Sequence, residues 1–74
     1  MSEMEKTLLR KLGDRVREVR ITELLLTQEE MGANCGLTQN QISLIESGLV
    51  DTRVLTLYKI CLCSHHTLSS LLNI

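Results

Sequence analysis

The 74-residue chain has no phenylalanine, no tryptophan, no proline and a single tyrosine, Tyr58. Binding of single strands or RNA by base stacking needs aromatic platforms, so that mode is excluded. A proline-free, leucine-rich chain with four glycines also lacks the turn chemistry of a sandwich or barrel. The longest apolar run, Leu24-Leu25-Leu26, is far too short for a membrane span. The N-terminus carries Glu3 and Glu5 and no long apolar stretch, so no signal peptide is expected. Cysteine is scarce and odd in number, at Cys35, Cys61 and Cys63. A small secreted scaffold would have more, in pairs, and a reducing cytoplasm is the expected compartment. Between residues 27 and 50 there is no Lys or Arg, only Glu29, Glu30 and Glu46. The net charge of −1 gives no global signature of a nucleic-acid binder.

What remains, at 43% hydrophobic and 23% charged, is one small globular domain spanning 1–74, compact and all-α. It is too small to enclose a catalytic pocket, so binding is expected and an enzyme is not. Leu8, Leu12, Val16 and Val19 are spaced four, four and three, which predicts an amphipathic helix over about 6–24. Gly13 inside it costs about 1 kcal/mol relative to alanine and marks a close approach. Thr27-Gln28-Glu29-Glu30 is a capping box that opens a second helix over about 28–35. Gly36 ends it. Thr38 caps a third helix over about 39–47, with Ile42 and Ile45 inward and Gly48 at its end. Two short helices joined across Gly36-Leu37-Thr38 form a helix-turn-helix at about 28–47. Val54, Leu57, Ile60 and Cys61 predict a fourth helix over about 53–63, and Thr67 a short fifth.

The string from Thr27 to Gly48, with its opening Gln28, the small Gly32, the turn Gly36, the hydroxyl of Thr38 and the run Ile42-Ser43-Leu44-Ile45-Glu46-Ser47-Gly48, resembles the lambda-repressor-like helix-turn-helix family. That family comprises phage Cro proteins, phage repressors and related bacterial regulators. The resemblance extends through Leu12–Arg20 upstream and through Val54, Leu57, Ile60, Cys61 and Leu71 downstream, about 60 residues in all. It implies a five-helix domain in which Gly32 and Gly36 shape the turn and Arg20 pairs with Glu46. The chain departs from the pattern at several places, among them Thr52 where a proline often follows the third helix and a third helix without the frequent arginine. One extra residue lies between Arg20 and Thr27, Leu24-Leu25-Leu26 replaces the customary glycine, and Ser64 and His66 stand at apolar positions. Either a longer first helix or an exposed leucine, and a loosely packed last helix, are the consequences to expect.

At the start of the third helix, Gln39, Asn40, Ser43 and Leu44, with Thr38 beside them, form a neutral face. Gln and Asn amides pair with adenine in the major groove, and Leu44 or the Thr38 methyl suits a thymine methyl. Gln28 at a helix N-terminus suits a phosphate, and Gln41, Arg15, Arg53 and Lys59 are the other phosphate candidates. Cys61, Cys63, His65 and His66 tempt a metal reading. However, residues two apart on a helix point about 200° away from each other, and no metal is expected. No cofactor, small-molecule ligand or membrane partner is implied. Leu68, Leu71, Leu72 and Ile74 exceed what so small a core needs, and a homodimer on a palindromic duplex operator would use part of that surface. With no sensor or effector region expected, regulation would run through operator occupancy, as in a Cro protein, a repressor or a restriction–modification controller. The rival is a helix-turn-helix used for protein contact without DNA affinity, such as an antirepressor, and the cation-free stretch 27–50 favours it.

Overall fold

The computed structural model describes residues 2–73, so Ile74 lies outside the described residues. Helix α1 (Glu3–Glu18) starts earlier than periodicity suggests, because Ser2 and Glu5 form a reciprocal capping box. Leu8 is exposed rather than part of the apolar face, since the first turns of α1 project past the other helices; burial begins at Leu12 and continues through Val16. Beyond Glu18 the chain stays helical but widens into a π-turn over Val19–Leu24. The amides of both Leu25 and Leu26 donate to the Arg20 carbonyl. Insertion of one residue into a helix is commonly absorbed in this way. Here the π-turn keeps Val19 and Arg20 inward and delivers Thr27 to its cap.

The two alternatives expected of the insertion occur together. The helix runs on to Leu24, and Leu25 is 78% exposed with a left-handed backbone, φ 57°. That conformation costs a β-carbon-bearing residue about 1–2 kcal/mol, while glycine loses more chain entropy on folding. Leu25→Gly is therefore expected to raise stability by about 0.5–1 kcal/mol, read as a higher midpoint in thermal melting. An unchanged or lower midpoint would mean that Leu25 makes a contact worth more than its strain.

Helix α2 (Gln28–Cys35) is capped by Thr27 and Glu30 and stops at left-handed Gly36, φ 73°. Helix α3 (Gln39–Ser47) is capped by Thr38, with Gln41 returning the bond, and stops at Gly48. Helix α4 (Val54–Ser64) follows, then α5 (Leu68–Leu72) with Thr67 as its cap. The core gathers Leu12, Val16, Val19, Met31, Cys35, Ile42, Ile45, Ile60 and Leu71, so every helix contributes. Val54 is corrected: it is exposed, and the buried side of α4 is carried by Ile60 with Leu57 and Cys61 half-buried.

Close backbone approaches seat α3. A β-carbon on Gly13 would lie 2.5 Å from the Ile45 carbonyl oxygen, and one on Gly32 would lie 2.8 Å from that of Leu37. Ser64 and His66, the two polar departures from the pattern, are both hydrogen-bonded. Buried Ser64 donates to the Ile60 carbonyl at 2.7 Å. The His66 ring bridges Glu23 at 2.8 Å and Ser70 at 2.7 Å. Cys35 and Cys63 are disulfide-bonded across a Cα–Cα distance of 5.3 Å, a pairing the sequence did not announce, and Cys61 is free. The end of α2 and the last turn of α4 meet only in the tertiary fold, so a separation of 28 residues carries no local signal.

Candidate nucleic-acid interface

The exposed polar face is built by the register of α3. Ile42 and Ile45 turn into the core, which leaves Gln39, Asn40 and Ser43 on the solvent side and Leu44 at its edge, 38% exposed. Among the described residues, the polar ends of Gln39, Asn40 and Ser43 have no hydrogen-bond partner. Thr38 and Gln41 differ from them. The Thr38 hydroxyl accepts from the Gln41 amide at 3.1 Å, and the Gln41 side-chain oxygen accepts from the Thr38 amide at 2.9 Å. These two residues fix the start of the helix, so the Thr38 hydroxyl is occupied while its methyl is not.

The other end of α3 is fastened by charge. Arg20 donates from Nε to Glu46 Oε2 at 2.6 Å and from Nη2 to Glu46 Oε1 at 3.0 Å, and its Nη1 donates to the Leu26 carbonyl at 3.0 Å. The two side chains are 11% and 5% exposed. The bond to Glu46 raises the Arg20 pKa, against the opposing effect of burial. Gln28 joins the pair, donating from Nε2 to Glu46 Oε1 at 3.2 Å. An amide nitrogen carries two hydrogens, so one remains for a phosphate. This cluster ties the π-turn, the N-terminus of α2 and the C-terminus of α3 together. Glu30, bonded to the Thr27 amide and hydroxyl, has its carboxyl held below the usual range.

The cationic candidates separate. Arg15 is corrected. Its Nε donates to the Leu71 carbonyl at 2.7 Å, its Nη2 to that of Ser70 at 3.4 Å, and its Nη1 pairs with Glu18. The guanidinium is thus engaged by the last carbonyls of α5 and by a carboxylate, with one N–H from each nitrogen used and a second N–H on each Nη left over. Nothing local in the sequence marks this role, which depends on where α5 docks. Arg53 is exposed at the N-cap of α4, where no side chain caps the helix. It borders a shallow cleft of about 340 Å³ that also touches Gln41 and Leu44 of α3 and Thr56 of α4. The Thr52 hydroxyl in the same wall is buried without a partner. Lys59, half-buried, stands one turn beyond Thr56 on α4.

The four-residue metal candidate does not assemble. Cys63 is bonded to Cys35, and His66 is held by Glu23 and Ser70. Among the described residues no group of three His, Cys, Asp or Glu side chains could hold a metal ion. Burial pushes the Cys61 thiol pKa up. No helix among the described residues is long and apolar enough to cross a membrane.

No curated protein matches the chain. A family profile described as Helix-turn-helix matches residues 16–62, well over half of the chain, from Val16 on α1 to Leu62 on α4. With the two capped helices, the left-handed Gly36 and an exposed polar face on α3, the chain belongs to the lambda-repressor-like helix-turn-helix family of DNA-binding regulators.

Proposed function

We propose that the chain is a sequence-specific transcription regulator of the Cro, repressor or controller type, acting in the cytoplasm and binding a palindromic operator as a homodimer. The observation that supports it best is the set of unpaired polar ends on Gln39, Asn40 and Ser43, presented on a helix fastened at both termini. A preorganised amide face suits base edges, because the reader need not be ordered on binding. Gln28, Gln41, Arg53 and Lys59 serve the backbone, with Arg15 removed from that set. No catalytic step, cofactor or metal is part of this reading.

One helix-turn-helix reads only a half-site, so specific binding calls for a second copy on a two-fold axis. Leu71 is buried in the chain's own core and Leu72 is half-buried, so of the last helix's leucines only Leu68 is exposed. The exposed apolar stripe is instead Val54, Tyr58 and Leu62 on α4, joined by Leu68. It borders a groove of about 390 Å³, and this is the face assigned to the second copy.

Selection of bound duplexes from a random pool tests the reading, and an enriched palindrome is the expected result. On that operator, Gln39→Ala and Asn40→Ala should each lose about 1–3 kcal/mol and relax specificity, while Arg53→Ala should weaken all duplexes alike. With Arg53 and Lys59 as the phosphate-neutralising cations of each subunit, the log–log salt slope of a dimer is about −3 to −4. A slope near −8 would require cations elsewhere. If no sequence is enriched even at low salt, the protein-contact role favoured by the cation-free stretch 27–50 takes its place.

A further inference from the structure

Cys35 is the last residue of α2, directly before the left-handed Gly36, and Cys63 stands in the last turn of α4. Their bond encloses the turn, the whole of α3 and most of α4. A protein that reads duplex DNA inside a cell works where small thiols keep cysteines reduced. A pair placed at bonding distance in that setting exists as two thiols and bonds only when an oxidant arrives. We propose that Cys35 and Cys63 are a two-electron redox couple that sets the stability of the DNA-reading unit, its oxidant being a low-molecular-weight disulfide. The proposal rests on the DNA-binding reading for its compartment and its consequence, and on the geometry alone for its chemistry.

The steps balance as two thiol–disulfide exchanges. Cys63 is the more exposed of the two, so its thiolate attacks one sulfur of the small disulfide. That sulfur–sulfur bond breaks, and one small thiolate leaves and takes up a proton. The Cys35 thiolate then attacks the Cys63 sulfur of the mixed disulfide. The second small thiolate is expelled and protonated. Two electrons have passed from the protein thiols to the small disulfide, giving two small thiols and the Cys35–Cys63 bond. Cys61 does not compete, because residues two apart on a helix project to different sides. It lines the apolar groove with Tyr58 and Leu62 instead.

The consequence follows from size. A domain of 74 residues has a small stability margin, and a cross-link restricts the unfolded chain by an amount that is large beside that margin. The midpoint of melting should therefore differ by roughly 10–25 °C between disulfide and dithiol forms. Between the two midpoints, apparent operator affinity falls with the folded fraction. Oxidation restores it.

The test uses the full chain in mixtures of oxidised and reduced glutathione, with melting and mass after thiol alkylation as readouts. Oxidation should leave one alkylatable thiol, Cys61, and raise the midpoint by the stated amount. Cys63→Ala should melt at the reduced value in every mixture, and Cys61→Ala should keep the full response. If Cys63→Ala fails to fold, the two states of the unmodified chain still decide the matter. Equal midpoints for fully oxidised and fully reduced chain would overturn the proposal, as would peptide mapping that links Cys61 instead of Cys35. A redox-dependent midpoint without operator binding in either state supports the couple and discards the DNA-binding reading.

Discussion

Arg20→Ala is expected to destabilise the fold by about 3–5 kcal/mol, the cost of leaving a buried charge without its partner. The substitution strands the Glu46 carboxylate, 5% exposed, with one neutral donor, Gln28. It also leaves the Leu26 carbonyl without the Arg20 hydrogen bond. For a chain of this length the melting midpoint should fall by roughly 15–25 °C. Arg17→Ala, on the exposed side of α1, is the control and should stay within about 0.5 kcal/mol of the parent. Arg20→Lys should recover only part of the loss, since an ammonium cannot make the two parallel bonds of the guanidinium fork. Equal small effects for Arg20→Ala and Arg17→Ala would show that the pair does not hold α3.

Gly13→Ala is the second severe substitution. Helix propensity alone favours it by about 1 kcal/mol. The added methyl would sit 2.5 Å from the Ile45 oxygen and 2.7 Å from the Glu46 oxygen, both backbone atoms. That backbone can retreat only by shifting α3 as a whole, because Ile45 is buried in the core and Glu46 is clamped by Arg20. Overpacking of this kind should leave a net loss of about 2–3 kcal/mol, measured by urea denaturation beside Asp14→Ala as an exposed control. Operator affinity should fall with it, since the strain is relieved by tilting α3. A stabilised Gly13→Ala would refute the close crossing of α1 and α3.

These two residues also mark how far the fold can be read from the chain alone. Gly13 breaks the propensity of a strong helix, and that local conflict correctly signals a close approach. The bounds of α2 and α3 follow from Thr27, Gly36, Thr38 and Gly48, because caps and left-handed stops are decided within a few residues of themselves. The reading face is legible for the same reason: once Ile42 and Ile45 are inward, Gln39, Asn40 and Ser43 must be outward. The start of α1 was within reach of the same logic, as Ser2-x-x-Glu5 is a capping box. The extra residue after Arg20 is visible in the spacing, but its form as a π-turn is a tertiary compromise. Arg15 and the Cys35–Cys63 pair are beyond local reasoning. Each joins segments that only docking brings together.

The attachment of α5 has a consequence for motion. Five residues are too few to persist as a helix in water. This segment rests on Leu71 in the core, on Arg15 gripping its last carbonyls, and on the His66 bridge to Glu23. Two of those three fastenings are polar and partly open to water, and such regions open at lower free energy than packed cores. The tail therefore unlatches as its own unit well before α1 to α4 let go of one another, and each unlatching uncovers the far end of the core at Ile60.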